Sequence, residues 1–523
     1  MARHPVAIDR VALAGWAALA LVLALVVGTL VAVAWRMQTA SGPMAGLEPA
    51  EWAAIRFTLV QASLSAAISV TLAIPLARAL SRRRFVGRAL IITLMGAPFI
   101  LPVLVAVLGL LAVFGRSGLV NEVLVWAGFA PISIYGLGGV VLAHVFFNLP
   151  LATRLILQGW QGVPGEHFRL AASLGFSSRD VARHIEWPML RSVLPGALLV
   201  VFLVCLTSFA VALTMGGGPR ATTIELAIYQ AVRLDFDLGR AALLALIQLS
   251  LGLSAGLLVL RIGLSEAGFG AGLDRVARRW EAERTGLRLW DAALIALAAL
   301  FLLVPLGVVV ARGFAGLVAL PPSVWEAALR SVMVALGATA LTLVLAFSIA
   351  AFVVLRRAPV AGLVGMLGLA ASPLVIGTGL FIIINPLADP ARFALVVTGM
   401  VNALMALPFV LRALMPALAT VEADYGRLAC SLGLLGWARF RLLWLPRLKR
   451  PLGFGAGLAA ALSMGDLGVV ALFAAPDQAT LPLQMYRLMG SYQMEAAAGA
   501  GLLLLAGSLG LFWLFDRGGR LGA

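Results

Sequence analysis

The chain has 523 residues, of which 62% are hydrophobic and 12% charged, against an apolar share of about 45 to 50% in soluble domains. With a mean hydropathy of +1.03 it cannot be an ordinary soluble protein and reads as a polytopic membrane protein. The formal charge of +16 raises the question of nucleic acid, but 29 of the 39 basic residues fall in segments that alternate along the chain with loops holding the other ten, the positive-inside pattern, which accounts for the charge without a nucleic-acid partner and places both termini in the cytoplasm.

A bilayer core of about 30 Å needs about 20 apolar helical residues, whereas barrel strands would alternate over about ten. Long apolar runs recur throughout, so the fold class is an all-α membrane protein. The run from Val11 to Trp35 follows a basic start, and Ala32-Val33-Ala34 passes for a cleavage site. A signal-peptide core is about 7 to 15 residues, so this longer run is read as a retained first span. Further spans are expected at about 57–80, 89–114, 134–158, 193–214 and 239–261. These make a first half, 1–262, with its main cytoplasmic loop at 159–192. A charged linker, 263–288, contains LDRVARRWEAERTGLR. The second half, 289–523, then shows spans at about 289–311, 328–355, 361–384, 393–418, 453–474 and 496–515, with its cytoplasmic loop at 420–451. Six plus six gives twelve transmembrane helices in two tandem repeats of equal orientation, related by an axis along the membrane normal.

The repeat is visible in residues. RLAASLG (Arg169 to Gly175) returns as RLACSLG (Arg427 to Gly433), and Pro150, Arg154, Glu166, Pro188 and Arg191 find Pro408, Arg412, Asp424, Pro446 and Lys449 at the same offset. Each loop reads as two short helices: Gly175 and Gly433 stop the first at positive φ, and Ser177 with Asp180 makes a capping-box start for the next in copy one. The opposite loops also repeat, with Thr223, Leu226 and Tyr229 echoed by Thr480, Leu483 and Tyr486. That spacing predicts a short helix at the outer surface, serving either as an interfacial anchor or as an external gate.

The four histidines form no HExxH, no Cys/His cluster has metal-ligand spacing, and no P-loop or G-x-S-x-G is present. Neither metal nor nucleotide binding is therefore expected on this chain. Cys205, in a span, and Cys430, in a basic loop, cannot reach each other. Asp466, in LSMGDLGVV, is the one acidic residue well inside a span, with Ser208 as its repeat partner. Such residues usually face a bundle interior or a water-filled path, and either a pathway role or satisfaction of a nearby backbone group fits it. The turn GGGP at 216–219 ends the fifth span.

These residues resemble the permeases of type I ATP-binding-cassette importers, whose cytoplasmic "EAA" loop precedes the penultimate span. The match lies in the Ala, Gly and Pro positions; the glutamate is replaced by Arg169 and Arg427. The resemblance covers nearly the whole chain. It implies that Arg169, Leu170, Ala171, Ala172, Leu174 and Gly175, with Arg427, Leu428, Ala429, Leu432 and Gly433, couple to two copies of a separate ATPase subunit that carries the ATP. It also implies a periplasmic substrate-binding protein, a bacterial inner-membrane location, and Ser208, Asp466, Tyr229 and Tyr486 as lining or gate residues. Fusion of two halves narrows the branch to thiamine or ferric-iron importers, and Leu206 to Gln230 with Gly465 to Phe473 look most like a thiamine, or thiamine phosphate, permease. An ion-coupled secondary transporter and an intramembrane enzyme are the alternatives. Ionisable residues inside spans are scarce for the former.

Overall fold

The computed structural model describes residues 5–39, 47–96, 100–218, 221–262, 284–365, 367–369 and 371–520. Among these the chain is helical, with no strand. Eleven helices are long and apolar enough to cross a membrane, and Pro373–Ile384 is a shorter apolar one. Among the described residues, the one missing from an expected twelve is the third span of the second half, which stops at the short Pro373–Ile384; the third span of the first half is among the eleven, as Val103–Trp126, but the chain breaks before it too. In place of one helix over 89–114 the chain forms Arg88–Leu94 and Val103–Phe114, the latter starting behind Pro102. In place of one over 361–384 it forms Pro359–Val364, a 3-10 turn Leu367–Leu369, and Pro373–Ile384, behind Ser372 and Pro373. Proline lacks the amide that would continue the helix from the preceding turn, so each span restarts there.

The penultimate spans are broken as well. The expected helices 193–214 and 453–474 are Trp187–Leu206 followed by Ala210–Met215, and Leu445–Met464 followed by Gly468–Phe473. The non-helical residues, Thr207 to Phe209 and Gly465 to Leu467, are repeat equivalents. The linker 263–288 lies outside the described residues except for 284–288, and the first helix of the second half starts earlier than expected, at Thr285.

The first helix of each half leans on the other half. Thr29 of Pro5–Thr39 lies against Gly379, where an added Cβ would come 2.5 Å from the threonine Cβ. Pro305 of Thr285–Gly316 lies against Gly109, where an added Cβ would come 2.7 Å from the proline carbonyl oxygen. Gly109 and Gly379 occupy the same place in the two twelve-residue helices, so one crossing occurs twice. In a bilayer lipid tails are as apolar as leucine, so close backbone approach over small residues, more than apolar burial, holds helices together. At one end of this seam Arg82 donates to both carboxylate oxygens of Asp291 at 2.8 and 2.5 Å, and Arg83 adds a third bond at 2.7 Å.

Candidate functional site

Two sites emerge, one at each duplicated sequence. The first is the pair of basic loops. Gly165–Ser173 ends in a Schellman turn: Phe176 N donates to Ala171 O at 3.0 Å, Gly175 N to Ala172 O at 3.1 Å, and Gly175 sits at φ +69°. In the second copy Leu434 N reaches Ala429 O at 2.9 Å and Gly433 N reaches Cys430 O at 3.1 Å, with Gly433 at φ +65°. The expected capping box is present at Ser177 and Asp180.

The second copy departs from two short helices. Its first helix is the end of one 38-residue helix, Ala394–Ser431. Where the first copy has Pro164 and Gly165, two helix breakers, the second has Glu422 and Ala423, which continue a helix. The segment after each turn contains a five-residue π-helix at equivalent positions, Ala182–Glu186 and Phe440–Trp444, placed just before Pro188 and Pro446. Such wide turns are frequent at functional sites.

An acid–tryptophan contact ties each loop to its helices, with the partners exchanged. Trp160 donates to Glu186 at 3.3 Å, and Arg78 bonds the same carboxylate at 2.8 Å. In the second half Trp444 holds the place of Glu186 and donates back to Glu422, which also pairs with Arg439. Both loops are thereby pinned to the membrane helices by a buried or half-buried carboxylate.

What each loop offers outward is the same. Ala171 and Ala429 are buried, while Leu170, Leu174, Leu428 and Leu432 are 55 to 65% exposed. Arg169, paired with Glu166 at 3.3 Å, and Arg427 are exposed, as is Ala172. Beside the first turn lies a concave groove of about 500 Å³ lined by Pro164, His167, Leu170, Leu174, His184 and Pro188 among others. A knob of leucines and arginine on a rigid turn is a shape that another protein can receive.

The second site is where the broken spans meet. Asp466 stands in the break of the second penultimate span, half-buried, and its Oδ1 accepts from Gly468 N at 3.3 Å while Oδ2 is buried without a partner. Ser208 is at the same point of the first break. A Cβ on Gly465 would lie 3.1 Å from Cα of Pro102, and one on Gly468 would lie 3.4 Å from Leu374 and 3.7 Å from Phe209. Breaks and helix starts from both halves thus converge around Asp466. Non-helical backbone at membrane depth is tolerated where it is enclosed by protein or lines a cavity, and discontinuous helices at a repeat interface are how transporters build substrate paths.

Tyr229 and Tyr486 lie on Ile224–Arg233 and Leu481–Gly490. Both helices form as the spacing predicts, and each packs one face inward, with Ile224, Leu226, Ile228, Leu481, Leu483 and Met485 buried while Tyr229 and Tyr486 are half-buried. Each is tied down by the second helix of its own half, Ile224 N donating to Thr58 at 2.9 Å and Leu481 N to Ser331 at 2.8 Å. Sequence reasoning missed a buried polar ladder in the first half. Gln61 donates to the Cys205 carbonyl at 3.0 Å, Asn148 to Cys205 Sγ at 3.3 Å, and Ser65 contacts His144 at 3.4 Å. Its signal was the row Gln61, Ser65, Ser69 at helical spacing in an apolar span.

A duplicated set of discontinuous helices, among eleven described helices of membrane-crossing length and with paired exposed turns, defines the class: a polytopic all-α membrane protein. No family model matches the chain. It is 41% identical over 517 residues to the "Thiamine transport system permease protein ThiP" of Brucella abortus (strain 2308), covering 96% of this chain and 94% of the relative. Its identity to the protein of that name is 40% over 514 residues in Escherichia coli (strain K12), covering 96% of both chains, and 42% over 481 residues in Salmonella typhimurium, covering 89% of both. The chain belongs to this family of transport system permeases.

Proposed function

We propose that the chain is the transmembrane subunit of an ATP-driven importer that carries thiamine, or its phosphates, across a bacterial inner membrane, with both termini cytoplasmic. The duplicated turn with its exposed leucines is the observation that carries the reading. Two equal knobs, each pinned to the spans by a carboxylate, fit two copies of one partner, and the residues of the chain itself offer no nucleotide-binding motif. ATP is bound and hydrolysed on those partners. Closure of the ATPase pair draws the loops together and biases the spans toward an outward opening, where a separate binding protein delivers the substrate. The two nucleotide states differ in loop contacts, which supplies the differential interaction that a conformational switch requires. The names of the relatives support thiamine as cargo, in preference to ferric iron.

The test is uptake of labelled thiamine by proteoliposomes holding this chain, its ATPase and the binding protein. Accumulation is expected with ATP and not with a proton or sodium gradient alone. Gradient-driven uptake without the ATPase would instead establish a secondary carrier.

Asp466 serves this path through its free oxygen. Asp466→Ala is expected to lower uptake at limiting substrate about tenfold, the loss of roughly 1.5 kcal/mol for a hydrogen bond to a charged group, with expression and ATPase association intact. Unchanged uptake would return Asp466 to the purely local role of capping Gly468.

A further inference from the structure

Trp187–Leu206 stops at the first break, and the last two carbonyls of that helix are taken by glutamines from two other helices. Gln61 of Pro49–Arg82 donates to Cys205 O at 3.0 Å, and Gln248 of Leu238–Ile262 donates to Leu206 O at 2.9 Å. Both side chains are buried. Thr58, one turn before Gln61 on the same face, accepts from Ile224 N, so the next residue, Glu225, begins its helix at this corner. Glu225 is 1% exposed. The second half builds the same corner without these groups: Leu481 N bonds Ser331, but Pro482 follows Leu481 and Val334 stands one turn after Ser331. Packing alone therefore does not require a carboxylate here.

The unmet groups are all of one kind. Gln61 Oε1, Gln248 Oε1 and Glu225 Oε1 are buried without a partner, and all three are acceptors, both amide nitrogens being used on the helix end. An ionised carboxylate would add a charge and no donor. The cations of the surrounding elements are engaged elsewhere. Among the described residues, Arg240 on the helix of Gln248 pairs with Glu48 and Glu51, Arg233 on Glu225's own helix donates to Ala474 O, and Arg56 on the helix of Gln61 is exposed. Tyr229 turns its ring to Phe209, and Asp466 caps Gly468. Neither Pro373–Ile384 nor Gly468–Phe473, which pack against the helix of Glu225, carries a titratable group. A protonated carboxyl fits this corner, because it is neutral and brings one O–H donor. Burial pushes the Glu225 carboxyl up to about 8, against the pull of hydrogen bonds from Ser372 and Gln248.

We propose that Glu225 is a proton-binding site that latches the first broken span. In this conformation the carboxyl holds a proton and supplies the donor that the corner lacks; when the break opens, water reaches Glu225, the O–H bond breaks, and the proton passes to that water. The latch goes beyond the importer reading and depends on neither cargo nor ATPase. In water the carboxyl returns to about 4.3. Between about 4.3 and 8, then, each unit rise in pH favours the opened form about tenfold, and outside that window the preference is flat.

The test uses the purified full chain in lipid nanodiscs. An infrared band of a protonated carboxyl is expected at neutral pH, disappearing as pH is raised through about 8, absent from Glu225→Gln and present in Asp466→Asn. Opening is read as the alkylation rate of Cys205, which is 0% exposed at the helix end that Gln61 holds, by mass spectrometry of its peptide. Thiol chemistry depends on pH by itself, so the parent rate is divided by that of Glu225→Gln, whose neutral amide imitates the protonated form. The ratio is expected to rise about tenfold from about pH 6 to 7 and to level off above about 8. A flat ratio overturns the latch, as does a band that survives Glu225→Gln or is missing from Asp466→Asn at neutral pH. A ratio that follows sodium or potassium at fixed pH assigns the acceptors to a metal cation and likewise overturns it. Asp466→Asn leaves Glu225 in place, so the band decides even where Glu225→Gln does not fold.

Discussion

Replacing Gly175 or Gly433 by valine is expected to abolish ATP-dependent uptake while leaving membrane insertion intact. Both glycines occupy the left-handed region, at φ +69° and +65°, and a Cβ at either would meet nothing within 4 Å. Steric clash is therefore absent, and the whole cost is backbone strain, about 1 to 3 kcal/mol for a β-branched residue held there. Released, the strain undoes the two hydrogen bonds of the Schellman turn and re-aims Leu170 and Leu174, or Leu428 and Leu432, away from the partner. A bias of that size changes the population of the correctly aimed loop about 5- to 150-fold. The double variant should lose the ATPase in pull-down. Asparagine, which adopts left-handed φ more readily, supplies the control: Gly175→Asn should keep most of the uptake. A double valine variant that retains the ATPase and transports at the parental rate would reduce both loops to connectors.

Much of this loop was legible because its signals are local. Gly175 after an apolar helical run, and Ser177 with Asp180, specify a stop and a start whatever surrounds them. The difference between copies was equally written in Pro164-Gly165 against Glu422-Ala423, but the matching of RLAASLG with RLACSLG drew attention past it. The breaks in the penultimate spans were hidden for a different reason. Thr207 to Phe209 and Gly465 to Leu467 sit in runs apolar enough to pass as continuous helix by hydropathy, whereas the packing of Gly465 against Pro102 and of Gly468 against Leu374 and Phe209 belongs to the folded arrangement. Asp466 was visible as a charge in a span, whereas its unpaired oxygen belongs to the three-dimensional arrangement alone.

Asp291→Ala is expected to destabilise the protein by about 3 to 5 kcal/mol, the cost of breaking a buried ion pair by removing one partner. Asp291 is 1% exposed and Arg82 3% exposed as side chains, and 209 residues separate them in sequence, so the pair ties the first helix of the second half to the second helix of the first. Removing the carboxylate strands the Arg82 guanidinium, which is 3% exposed, and takes the same partner from Arg83. The pair itself is not the source of the stability, because desolvating two charges offsets most of their attraction; the cost arises from leaving one behind. Replacing Arg82, Arg83 and Asp291 together by Leu, which removes every charge of the cluster, should therefore recover much of what Asp291→Ala loses. Heat inactivation of the purified protein in detergent, followed by loss of the monodisperse fraction, measures both. An Asp291→Ala variant as heat-resistant as the parent would mean that Arg82 finds water or lipid headgroups once released, and that the close crossings of the first helix of the second half, at Gly109 and at Gly313 and Gly316, hold it without the ion pair.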